Sequence, residues 1–223
     1  MNRIEWQMIL KDWSFMRGPM LGYLGLGAIA IAMIGLGRNM VFYAGVIILV
    51  SIIVIIGIHA VFGSVMSERK NQTLPFMLSL PVTFLQYTRS KILGNLLLFS
   101  MSWLALTVAT LLVIAGSEHI PNGLIPFAVI VLGELFAAFA LLLAIAIVSE
   151  SEVWAIVVMT VCNIGISIFM NAIGSLPAIN ATMSGPVTVW NITSVGIVAA
   201  EAALVAVLIA VTFYLQSRKA DYL

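Results

Sequence analysis

Six long apolar runs, separated by short polar breaks, fill most of the chain. They cover about residues 19–37, 40–63, 92–116, 123–148, 153–173 and 192–216. Each is close to or above the roughly 20 apolar residues an α-helix needs to cross a bilayer. Alternating strand patterns are absent, which argues for helices over a barrel. The pattern predicts an all-α integral membrane protein with six transmembrane helices, in one domain over residues 1–223.

Two segments depart from this pattern. Ahead of the first run, Trp6, Ile9, Leu10, Trp13 and Met16 share one helical face, and Arg3, Gln7, Lys11, Asp12 and Ser14 fall largely on the other. This predicts an interfacial amphipathic helix over 2–17, anchored by Trp and basic residues. Gly18-Pro19 is expected to break it and turn the chain into the membrane. The second segment, Ser67–Lys91, is the longest polar break. Thr73 can cap a short helix whose first turn tolerates Pro75. Leu74, Met77 and Leu78 share a face, Phe76 and Leu80 flank it, and Pro81 ends it. Val82–Lys91 then reads as a second interfacial segment, with Phe84, Leu85 and Tyr87 on its apolar side and Arg89 and Lys91 as anchors. Either these are two surface helices that only position the spans, or Thr73–Leu80 is a docking helix for a groove in a partner, with Glu68, Arg69 and Lys70 at the rim.

Composition fixes the solvent. Only 9% of the 223 residues are charged, against roughly 25% in soluble domains, so the apolar surface must face lipid. A net charge of +1 gives no reason to expect a nucleic-acid partner. One cysteine, Cys162, allows no intrachain disulfide and no cysteine-cluster metal site. Nine of the ten basic residues fall before the first run, between the second and third, or after the sixth; Arg38 alone lies on the other side. Lys and Arg concentrate in cytoplasmic loops, so both termini are expected in the cytoplasm, in a multi-pass protein of the cytoplasmic (inner) membrane. The first apolar run is too long, and its leader too acidic, for a signal peptide.

Within the spans, Glu134 and Glu201 stand out. A charge at a helix centre costs about 2.5–3.5 kcal/mol on insertion scales, so each is expected to be protonated, paired or beside a wet cavity. Asn95, Asn163, Asn171, Thr107, Thr160 and Ser167 are candidate partners. Substrate contact, a proton site and plain helix–helix hydrogen bonding all stay open for Glu134, Glu201, Asn163 and Asn171. His59 is a lone histidine, expected as a satisfied polar group and not a metal ligand. The Gly22-Gly25-Gly27 run allows close helix approach. Asn180-Ala181-Thr182 and Asn191-Ile192-Thr193 match the short glycosylation pattern. No catalytic, cofactor-binding or metal-ligating residue is assigned.

The sequence SERKNQTLPFMLSLPVTFLQYTRSK over 67–91 resembles the intracellular segment of ABC transporter type 2 permeases. Glu68-Arg69, Thr73-Leu74, Leu78-Ser79-Leu80-Pro81-Val82 and Lys91 match its pattern in order; Gln72 and Pro75 depart from it, where members often carry Gly and an acid. The resemblance implies a coupling-type helix that docks on an ATPase subunit through Glu68, Arg69, Lys70, Thr73, Leu74, Phe76, Met77, Leu78 and Leu80. It also implies short re-entrant outer helices within Gly174–Trp190. Its wider implication is a permease subunit of an exporter, working with a second copy or a homologous sister and a nucleotide-binding partner that carries ATP and Mg. The chain has no G-x-x-x-x-G-K-[ST] loop to cradle phosphates, so it is expected to be no enzyme itself. The alternative is a proton-coupled secondary transporter using Glu134 and Glu201. No inverted repeat of the kind common in that class is visible. Neither H-E-x-x-H nor G-x-S-x-G occurs, which argues against a membrane enzyme. An apolar interior favours an amphipathic or lipid-like cargo over a sugar or an inorganic ion.

Overall fold

The computed structural model describes residues 3–67 and 84–218. Seven α-helices make up its frame, and no strand occurs among the described residues. They are α1 Arg3–Leu36, α2 Met40–Val61, α3 Phe84–Gly116, α4 Ile125–Ser149, α5 Glu152–Ser175, α6 Pro177–Met183 and α7 Ile192–Arg218. All but α6 are long and apolar enough to cross a membrane. A π-helical turn, Phe62–Met66, extends α2, and a 3₁₀ turn, Asn122–Leu124, leads into α4.

The expected break at Gly18-Pro19 does not occur. Arg3–Leu36 is one helix of 34 residues with Pro19 inside it. At 1.5 Å per residue it is about 51 Å long, well beyond the ~30 Å hydrocarbon core. Proline removes one hydrogen bond from a helix, and packing on α2 and α3 supplies enough contact to carry the helix through it. The N-terminal segment therefore continues the first span. The next segment behaves similarly. Phe84–Gly116 is one helix, so the described part of the expected second interfacial segment is the first turns of the third span.

Helix α4 is the hub, packing on α2, α3, α5 and α7. Its apolar stretch is 67% buried, whereas those of α5 and α7 are only 11% buried. The largest cluster joins α1 to α4 through Met16, Ile53, Ile56, Ile92 and Phe99. Phe99 stacks on Phe139, with ring centroids 3.9 Å apart. Lipid is as apolar as these side chains, so close packing and hydrogen bonds hold such helices together. Close approach does occur, but mostly away from the expected glycines. Gly22 and Gly25 face open space; Gly27 meets Leu106, and Gly45 on α2 admits the Ala30 carbonyl of α1.

Short links fix the hairpins. Glu150 adopts a left-handed conformation with φ 56°, and only Glu150 and Ser151 join α4 to α5. Asn39, with φ 48°, turns the chain between α1 and α2. At that end of the bundle Asn191 organises the approach to α7. Its side-chain oxygen accepts from the Ser194 backbone N–H at 2.7 Å, and its amide donates to the Ala178 carbonyl at 2.6 Å. This is a helix N-cap tied to α6, a concrete role for one of the two glycosylation-like sites.

Candidate functional site

Two regions stand out, one at an end of the bundle and one beside Glu201 between α3, α4 and α7. The first joins the starts of α1 and α3 to the end of α2. Lys91 Nζ and Asp12 Oδ2 form an ion pair at 2.7 Å, both side chains under 8% exposed. Sequence periodicity placed Asp12 on the solvent face of the first helix and Lys91 at the headgroups. In the structure the packed face of α1 runs through Glu5, Met8, Ile9, Asp12, Met16 and Met20. Trp6, Leu10 and Trp13 point outward instead. One turn on from Lys91, the Asn95 amide donates to Ser64 Oγ at 2.7 Å and to the Lys91 carbonyl at 2.8 Å. Ser90 Oγ donates to the Tyr87 carbonyl at 2.7 Å and lies 3.7 Å from Met8 Sδ. These contacts clamp three helices beside the two points, Ser67 and Phe84, between which residues 68–83 run.

The expected docking residues Glu68, Arg69, Lys70, Thr73, Leu74, Phe76, Met77, Leu78 and Leu80 lie outside the described residues, as does Lys219.

The second region is a cavity of about 410 Å³ between α3, α4 and α7. Glu201 lies in its wall, about 14 Å along α7 from Ile192 at 1.5 Å per residue. Its side chain fits against Gly133, where a Cβ would run into the carboxylate. Glu201 is 8% exposed, and neither of its carboxyl oxygens has a hydrogen-bond partner among the described residues. Thr107, across the cavity on α3, also has a buried oxygen with no partner among the described residues. Trp103 and Phe136 supply aromatic surface, with ring centroids 5.0 Å apart in an edge-to-face arrangement. The Trp103 indole N–H is already engaged, donating to the Leu132 carbonyl at 2.8 Å.

The four intramembrane candidates do not assemble into one site. Glu201 lines the wide cavity. Glu134 follows Gly133 on α4, is partly buried and lies within electrostatic reach of Glu201. Asn163 and Asn171 are on α5, and their amides return to the Met159 and Ser167 carbonyls of their own helix at 2.8 and 3.0 Å. Thr160 donates likewise to the Ile156 carbonyl, and Asn95 belongs to the clamp. Polar side chains in helices commonly satisfy themselves on the carbonyl four residues back. The expected pairing of these residues with Glu201 is therefore not made.

Tyr23 Oη and His59 Nδ1 are 3.0 Å apart, so His59 is hydrogen-bonded between α1 and α2. Among the described residues, no three His, Cys, Asp or Glu side chains converge as metal ligands do. Sequence reasoning missed the clamp and Trp103. The spacing Glu5, Ile9, Asp12, Met16 could have revealed the first, since these residues share one helical face. Nothing local marks Trp103, whose role depends on a neighbour 29 residues away.

Compared with known proteins, the chain matches no family model, no curated protein and no solved structure.

Proposed function

We propose that this chain is the membrane-spanning subunit of an ATP-driven exporter of the ABC type 2 permease kind. Two copies, or one copy and a sister, would form the pathway in the cytoplasmic membrane, with both termini in the cytoplasm. Separate nucleotide-binding subunits would hydrolyse ATP and dock on the Thr73–Leu80 segment. The sequence pattern over 67–91 is the origin of this reading, and the Asp12–Lys91 clamp is the observation that carries it. A contact on residues 68–83 reaches the bundle through Ser67 and Phe84. There α1, the end of α2 and α3 are bonded by buried polar groups. A push on that segment would move three helices together, as coupling requires. The sparsely buried α5 and α7 and the open glycine face of α1 leave surface for a second copy.

The test is recovery of partners from native membranes in mild detergent, with this chain as bait beside a Met77→Asp, Leu78→Arg variant. The expected result is an ATPase subunit with the native chain and its loss from a variant that still inserts. Absence of any nucleotide-binding partner, even after cross-linking, would overturn the proposal. One observation favours a second reading, proton-coupled transport: Glu201, within the long apolar helix α7, is buried without a partner among the described residues. That reading requires transport to follow an imposed proton gradient without ATP and to stop in Glu201→Gln.

A further inference from the structure

The cavity between α3, α4 and α7 combines features with a common chemical meaning. Its volume of about 410 Å³ lies within the roughly 300–1,000 Å³ of small-molecule sites. Its walls are largely apolar: Leu111, Val129, Val198 and Val205 surround Trp103 and Phe136. A carboxyl more than nine-tenths buried lines it and has no hydrogen-bond partner among the described residues. No Lys, Arg or His among the described residues lines it. Glu134 adds a second acid within electrostatic reach.

We propose that this cavity binds a lipophilic organic cation, with Glu201 as its counter-ion and Trp103 and Phe136 as its aromatic wall. Aromatic faces attract cations through their ring quadrupoles, more strongly where water is excluded. A buried carboxylate at mid-membrane is costly alone, and a bound cation offsets that cost. Inorganic cations fit poorly. Calcium takes six to eight oxygen ligands, whereas Glu201 and Thr107 are the side chains with oxygens that line this cavity. Gly133 is part of the site, because any larger residue would displace the Glu201 carboxylate.

The proposal deepens the transport reading by naming a class of cargo, and rests on that reading for the meaning of binding. Binding itself requires only this chain. The test is equilibrium binding of radiolabelled tetraphenylphosphonium to the full chain in nanodiscs, with tetraphenylborate as a competitor of the same shape and opposite charge. The expected result is saturable binding that tetraphenylborate does not compete. Affinity should be about tenfold weaker or more in Glu201→Gln, equivalent to about 1.4 kcal/mol. Ala202→Trp should weaken it similarly by filling the cavity while leaving the carboxyl in place; this variant decides the matter if Glu201→Gln does not fold. Unsaturable binding, equal competition by the anion, or native affinity in a folded variant would overturn the site. An ATPase partner recovered without a tetraphenylphosphonium site overturns the site alone. Glu201-dependent binding without an ATPase partner overturns the driven-permease reading alone.

Discussion

Asp12 and Glu201 are both acids buried in an apolar helical bundle, yet their surroundings differ completely. Asp12 meets the Lys91 ammonium at 2.7 Å, next to a turn of α3 whose Ser90 and Asn95 are also hydrogen-bonded. Glu201 lies beside a 410 Å³ cavity with both oxygens lacking partners among the described residues. A paired acid specifies how helices fit together. A buried acid beside a cavity, with no bond to another helix among the described residues, adds little to that fit. Burial alone does not distinguish these two acids; pairing does.

The comparison is tested most severely at Lys91. Replacing it with Met removes the Lys91 ammonium from the Asp12 carboxylate, and breaking a buried pair costs up to roughly 3–5 kcal/mol. Lys91→Met should lower the thermal unfolding midpoint of the detergent-solubilised protein substantially, and adding Asp12→Leu should recover most of the loss. If both single variants unfold like the native chain, the clamp contributes nothing to stability.

Glu201→Met should move the midpoint the other way. Removing a buried carboxyl that has no hydrogen-bond partner among the described residues relieves a desolvation cost of about 1–3 kcal/mol. A clear fall in the midpoint would mean Glu201 is structural, erasing the contrast. Gly133→Ala sharpens it at smaller scale. Its methyl runs into the Glu201 carboxylate, the far end of a flexible side chain that the neighbouring cavity lets shift, so the cost should stay at the low end of the ~1–3 kcal/mol of core overpacking. The loss should vanish in a Glu201→Ala background, which a double-mutant cycle would read as coupling. The smallest effect is expected at Asn191. Asn191→Ala removes the cap of α7, costing about 0.5–2 kcal/mol, and should speed amide exchange in the first turn of α7 alone.

The six long helices were legible because each apolar run marks one, although α1 and α3 begin well ahead of the runs at 19 and 92. The sixth run, 192–216, matches α7 within two residues at either end. Side-chain faces were harder to read. In a membrane the outward face is as apolar as the inward one, so periodicity loses its contrast. Hence Trp6, Ile9, Leu10, Trp13 and Met16 were grouped on one apolar face, whereas Ile9 and Met16 pack inside the bundle and Trp6, Leu10 and Trp13 are exposed. Pro19 misled because its local cost is real, but tertiary contact along α1 outweighs it. The partners proposed for Glu201 failed for a similar reason: Asn163, Asn171 and Thr160 turn back onto their own helix carbonyls. Glu201 itself was visible as an acid in an apolar run. The space beside it was not, since it depends on Gly133 and on three helices distant in sequence.

The two-residue link at Glu150 and Ser151 also bears on how this protein is made. Two residues span at most about 7 Å, far less than the ~30 Å core. Once α4 is across the bilayer, α5 must start at the surface where α4 ended and can only return antiparallel to it. The left-handed Glu150 thus ties the orientation of α5 to that of α4 during biosynthesis. Lengthening this turn with flexible residues would loosen that tie, leaving the α4 and α5 sequences untouched while making their insertion less uniform.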